Sequence, residues 1–382
     1  MKKVCFIISF FLTVISNAQD IDFGKKIVDT LTSPYFWGRG YTNNGMQKAA
    51  DFLATQFKAY KLQTMKGKNY FQSFNYSVNT FPGNMYFSID NQTLIPGKDF
   101  IIDASSCGVS ATGYFKQKDS TTYVDQKNRV LLTLNDKLTM TVSPSVLDYT
   151  LIEVNKKAIM PNPFTYKINI ENSFVKKFNA VNVCGMVKGT IVPDSFIVIT
   201  AHYDHLGGLG KDTYFPGAND NASGVALLLN LARYYALHPQ KYSISFILFS
   251  GEEIGLLGSK YFTENPLLPL NKIRFLINTD LAGTGDDGIT VVNATEFPKE
   301  FEWMQQLNTD FKLLKAVNAR GKAANSDHHF FTEKGVPSFF FYTLGGVSYY
   351  HDILDKSETL PLNEHEDLYK LLIKFNEKLM GF

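Results

Sequence analysis

Cysteine is scarce, with three in 382 residues, and one of them, Cys5, lies near the amino end. The other two, Cys107 and Cys184, lack the local spacing of a thiolate metal site. In an oxidising compartment they could pair; two buried free thiols is the alternative reading. An excess of charge of one sign is also missing. Lys and Arg total 38 against 36 for Asp and Glu, a formal net charge of +2, so there is no electrostatic case for a nucleic-acid or polyanion partner. No internal repeat or low-complexity tract interrupts the chain, and 14% aromatic residues with 32 Phe exclude a disordered protein. Long apolar runs are confined to Val4–Ile15, which is too short to span a bilayer. With Met1-Lys-Lys before it and Ser16-Asn17-Ala18 after it, that run has the form of an export signal cleaved after Ala18. The expected location is periplasmic or extracellular, with no stable membrane span in the mature chain.

What remains is 45% hydrophobic, enough for a large core, as one big domain or a core plus a smaller insert. Residues 21–32 and 43–62 read as helices, the second from Ala49, Phe52, Leu53, Phe57 and Tyr60 at helical spacing. A strand is expected over 70–78. From 81 to 174 the texture changes to short strand-like runs punctuated by Pro82, Pro96, Pro144, Pro161 and Pro163, a small β-rich insert with few chemistry-bearing residues, read as a structural or lid module. After it, apolar strands over 196–201, 243–249, 273–279 and 337–342 alternate with helices over 225–236, 298–314 and 363–380. The expected fold class is therefore α/β: a three-layer sandwich whose mostly parallel mixed sheet carries helices on both faces. The expected division is a signal over 1–18, a main domain from 19–80 and 175–382, and the insert over 81–174.

The chemistry gathers just past the strand ends, where open α/β sheets place their ligand sites. His202 and Asp204 form an H-x-D unit in which a carboxylate can hold the imidazole's tautomer. Asp220 lies at the mouth of a helix in Gly-Ala-Asn-Asp-Asn-Ala-Ser-Gly, where Asn219 or Asn221 can serve as the cap and leave Asp220 free. The same reading makes Asn221-Ala-Ser223 part of the turn rather than a glycan acceptor. Glu252-Glu253 follows an apolar strand between Gly251 and Gly255, and adjacent acids there are costly unless a cation receives them. Their side chains diverge, so one can bind metal while the other serves as base. Asp280 and His351 complete a set of five. A catalytic zinc takes about three protein ligands plus water, so two ions require one shared residue, and Asp220 is the natural bridge. His202, Asp220 and Asp280 would hold one ion, and Glu253, Asp220 and His351 the other.

The motifs HYDHLG, GANDNASG, SGEEIGLLGS, NTDLAG, SDHHFF and YYHDILD closely resemble the co-catalytic zinc aminopeptidases of the bacterial leucyl aminopeptidase and glutamate carboxypeptidase II superfamily. The resemblance covers 23–80 and 175–382. It implies two zinc ions as cofactors, His202, Asp220, Glu253, Asp280 and His351 as ligands, and Glu252 as general base toward a metal-bridged water. It also makes Asp204 the support of His202, and Asp355 a comparable support beside His351. The implied substrates are peptides, cut at the N-terminal residue; the insert stands where the family often carries a protease-associated domain, as a reduced or divergent lid. A glutaminyl-peptide cyclase of the same fold, a carboxypeptidase and a non-catalytic binding ectodomain are the alternatives. Phe339, Phe341, Tyr349 and Tyr350 suggest an apolar substrate pocket or, equally, core packing. His205, His238, His329 and His365 are read as structural. The oligomeric state is not legible.

Overall fold

The computed structural model describes residues 21–381; the expected export signal lies outside the described residues. The main sheet has nine strands among the described residues. Its centre is four parallel strands, Tyr242–Phe249, Val192–His202, Ile273–Thr279 and Ser338–Leu344, side by side in that order. The flanks run the other way: Ser173–Val187 is antiparallel to Tyr242–Phe249, and Gly288–Val292 to Ser338–Leu344. Phe71–Thr80 pairs along the outer length of Ser173–Val187.

Alternation along the central strands sorts side chains between two cores. Ile197, Ile199, Phe246, Leu248, Phe275 and Ile277 share one core with the helices Gly45–Ala59, Gly224–Leu237 and His365–Leu379. Val198, Ile247, Phe249 and Leu276 face the other way, onto Phe262 and Phe331 of the short helices Leu257–Glu264 and His328–Glu333. Helices thus cover both faces of a mixed sheet, the three-layer α/β arrangement. Gly224–Leu237 is buried almost all round, as a helix must be when other helices pack over it.

Residues 81–170 supply two smaller sheets. One runs Phe100–Ile102, Thr150–Asn155, Val130–Asn135, Thr122–Asp125, Lys116–Gln117, and the other Gln92–Thr93, Met85–Ile89, Thr165–Ile170, Val109–Tyr114. Their core, with Phe87, Phe100, Leu132 and Ile152, extends to Leu206, Leu209 and Phe215 of the loop after His202. The β-rich segment and the loop leaving the central strand therefore share one apolar cluster. Cys107 and Cys184 are both free.

Candidate active site

Parallel central strands bring their carboxyl ends to one edge, and each end delivers a polar residue there. His202 closes its strand, Asp280 follows Thr279, and Glu252 and Glu253 follow Phe249 through Ser250-Gly251. The tight turn Ala218–Ser223 supplies Asp220. Asn221, not Asp220, meets the start of the following helix: its Oδ1 accepts the Gly224 N–H at 3.0 Å, and its Nδ2 donates to the Thr279 carbonyl. The Asp220 carboxylate is left free for the site. Asn221 is fully buried, consistent with a turn residue.

All five histidine and carboxylate candidates converge. Asp220 divides its oxygens, with Oδ1 3.3 Å from His202 Nε2 and Oδ2 3.2 Å from His351 Nε2. Asp280 Oδ1 stands 3.3 Å from His202 Nε2, and Glu253 Oε2 3.1 Å from His351 Nε2. Donor atoms of His202, Asp220 and Glu253 lie within 4.8 Å of one another, as do those of His202, Glu252 and Asp280. The set is acidic, with His202, Asp220 and Asp280 buried and Glu252, Glu253 and His351 half-buried. Four carboxylates, of Asp220, Glu252, Glu253 and Asp280, face two imidazoles, a negative excess that divalent cations would neutralise.

The electrostatics follow. Burial by itself would lower His351, but Glu253 and Asp220 outweigh it and raise its pKa to about 11. His202 is likewise held well above its ordinary value, against its burial, by Asp280, Glu252 and Asp220. Glu253 is drawn down to about 2: burial and Asp220 oppose this, and His351 and His205 prevail. Glu252 goes the other way. Burial raises it well above the usual carboxylate range, against the pull of His202 and with added repulsion from Asp280, Asp327 and Glu253. Two adjacent acids thus acquire opposite proton affinities.

The surrounding contacts hold these groups in place. His202 Nδ1 is 3.2 Å from the Asp204 carbonyl and 3.8 Å from its carboxylate, whose Oδ1 accepts the Glu252 backbone N–H at 3.2 Å. Asp204 therefore ties the His202 loop to the Glu252 turn. Asp355 accepts the backbone N–H groups of Asn219 and Asp220, at 2.8 and 3.0 Å, and so fixes the Asp220 turn, not His351. The partner of His351 Nδ1 is the Met140 carbonyl at 2.7 Å, from the β-rich segment. Asp280 Oδ2 accepts from Ser326, which accepts from Asn278, whose Oδ1 accepts from Thr200.

Four contributors escape a sequence reading. His205, expected to be structural, is buried with Nδ1 2.5 Å from Glu253 Oε1; its place three residues after His202 on one loop was the available signal. Arg39 is fully buried and donates to the carbonyls of Leu31, Tyr203, Pro216, Gly217 and Asp220. Burial lowers its pKa to about 10, so it stays cationic beneath the acid cluster. Phe340 and Tyr342 line a cavity of about 250 Å3 beside the cluster with Tyr350, whereas Phe339 and Phe341 belong to the core. In a strand alternate residues change face, and an almost wholly aromatic run gives no cue to which.

A strand-end cluster of imidazoles and carboxylates on a three-layer α/β fold is a donor set that could hold metal ions, and the comparisons narrow the class. The model of "Peptidase family M28" matches residues 182–375, and the chain belongs to that family. It is 31% identical over 166 residues to aminopeptidase YwaD of Bacillus subtilis, covering 42% of this chain and 35% of that protein. A probable zinc metalloprotease of Pyrenophora tritici-repentis is 38% identical over 111 residues, which are 28% of this chain and 23% of that protein. The chain thus spans about a third or less of the length of these curated relatives. Among solved structures, a peptidase M28 precursor from Shewanella amazonensis SB2B superposes with TM-score 0.71 at 16% identity, covering 96% of this chain and 94% of that one. A zinc aminopeptidase from Bacillus subtilis gives 0.68 at 18% identity, with 94% of each chain covered. These two likenesses show a shared fold.

Proposed function

We propose that the protein is an exported, zinc-dependent metallopeptidase that removes N-terminal residues from peptides. The observation that carries this reading is the Asp220 carboxylate, one oxygen beside His202, which Asp280 also meets, and the other beside His351, which Glu253 also meets. Buried imidazoles and carboxylates in excess are a donor set suited to zinc. His202, Asp220 and Asp280 would hold one ion, and His351, Asp220 and Glu253 a second. When bound, such ions polarise a carbonyl and lower the pKa of water. Glu252 supplies the base. Its raised proton affinity suits it to take a proton at a carboxylate oxygen from the attacking water and return it to the leaving amine. His205 and Met140 orient Glu253 and His351, and Asp204 orients His202 and Glu252. The β-rich segment serves as the wall behind His351. The names of the similar proteins, an aminopeptidase and zinc metalloproteases, support the same reading, and the apolar run near the amino end supports export.

The test is metal content per chain on purified protein together with hydrolysis of free and N-acetylated aminoacyl amides. Near two zinc per chain, with only free-amine substrates cut, is the expected result. One zinc without amide cleavage would instead favour a glutaminyl cyclase.

A further inference from the structure

The cavity beside the acid cluster carries a cation that the hydrolytic machinery does not use. Arg320 follows the short strand Val317–Ala319 and lines the cavity that also exposes Asp220, Glu252, Glu253 and Asp280. It is the only Lys or Arg among the described residues of that lining. Its side chain makes a single hydrogen bond among the described residues, donated to the Tyr342 hydroxyl at 3.1 Å, and no ion pair among those residues includes it. Its backbone is pinned on both sides: its N–H donates to Val291, and its carbonyl accepts from Ala294. The guanidinium is thus anchored at its stem and unneutralised at its tip. Tyr342, accepting from Arg320, keeps its own O–H free to donate, and the Asn325 amide stands on the same lining. Leu281, Phe340 and Tyr350 add apolar surface to the same lining.

From this arrangement we propose that the cavity receives the side chain of an acidic N-terminal residue, aspartate or glutamate, with Arg320 as the specificity-determining cation and Tyr342 as an additional donor. The inference rests on the aminopeptidase reading, which seats the first residue's carbonyl at the acid cluster and its side chain in the adjoining space. At about 250 Å3, below the roughly 300–1,000 Å3 of pockets for drug-sized ligands, the space suits one side chain rather than a length of peptide. A fork of N–H donors with no carboxylate of its own is suited to pair with a substrate carboxylate. The apolar walls accommodate the methylenes of the side chain.

The experiment compares kcat/KM of the metal-loaded chain for glutamyl, aspartyl, glutaminyl, leucyl and phenylalanyl p-nitroanilides, in wild type, Arg320→Met and Arg320→Glu. Wild type should favour glutamyl over the isosteric glutaminyl substrate by at least about tenfold, the lower range for a charge-assisted hydrogen bond. Arg320→Met should lower the glutamyl-to-leucyl ratio roughly ten- to hundredfold, and Arg320→Glu should lower it further. Arg320 is solvent-exposed, and thermal melts of both variants check that they are folded. Good cleavage of leucyl and phenylalanyl substrates with no glutamyl preference would overturn the proposal and leave the aminopeptidase reading standing. No cleavage of any substrate would overturn both. A second arm, Leu-Gly against Leu-Gly amide, identifies the source of the carboxylate: a preference for the free acid that Arg320→Met abolishes, without a glutamyl preference, would overturn the side-chain assignment in favour of a C-terminal carboxylate.

Discussion

Glu252 and Glu253 are neighbours in sequence and opposites in chemistry, and the difference is made by what surrounds each carboxylate. Glu253 has His205 and His351 to hold it ionised, while Glu252 faces mostly other acids. Glu252→Gln should retain bound metal and lose roughly 10²–10⁴-fold in kcat, the range for a removed general base; metal analysis and steady-state kinetics on the same preparation check it, and near-wild-type turnover would refute the assignment. Asp220→Asn should lower occupancy of both ions together, since its two oxygens serve both histidines; two full zinc equivalents in that variant would rule out the shared role. Arg39→Met removes the donor to five carbonyls, among them those of Pro216, Gly217 and Asp220. Leaving buried acceptors unpaired should cost roughly 3–5 kcal/mol. A denaturant melt with a midpoint near that of wild type would show that water takes over the carbonyls.

At the scale of elements, the β-rich segment is joined to the site by two kinds of contact. Its core takes in Leu206, Leu209 and Phe215 from the loop after His202, and its Met140 carbonyl binds His351. Phe87 is fully buried within that core. Phe87→Ala should cost roughly 3–5 kcal/mol, and because the apolar cluster is shared, unfolding should remain one transition with a lowered midpoint. A separate early transition, with activity surviving it, would instead describe a detachable module. Much here was legible in advance. Met85–Ile89 and Phe100–Ile102 are among the short strands expected within 81–174, and Phe71–Thr80 covers most of the strand expected over 70–78. Short or polar pieces such as Lys116–Gln117 and Val317–Ala319 were not, because two or three residues carry no period.

For the whole molecule, stability should depend on acid through two histidines outside the ligand set. Burial lowers both His328 and His365 to about 4, against roughly 6.5 in an unfolded chain. The unfolded state therefore binds more protons between those values, so stability is full above about pH 6.5, falls as pH drops through the window, and levels off below about pH 4. Each accounts for up to roughly 3 kcal/mol. Melts across that range should show the slope, and His365→Gln should flatten it; an unchanged slope would place the effect elsewhere. Ions bound only by the folded chain stabilise it by mass action, so a chelator should lower the melting temperature and added zinc restore it.

The sequence by itself determined the local half of this protein. Apolar strands ending in His, Asp or Glu are a pattern within a few residues, and a parallel sheet necessarily brings such ends to one edge. That a neighbouring Asn and not Asp220 would serve the start of the Gly224–Leu237 helix was readable for the same reason, since such contacts act over about three residues. Tertiary structure decided what depends on residues far apart: His205 on Glu253, Met140 on His351, Arg39 beneath the Asp220 turn, and Arg320 in the cavity. It also decided that Phe340 and Tyr342, and not Phe339 and Phe341, face the substrate side, because the face a strand residue takes is set by the neighbouring strands and the core beneath them.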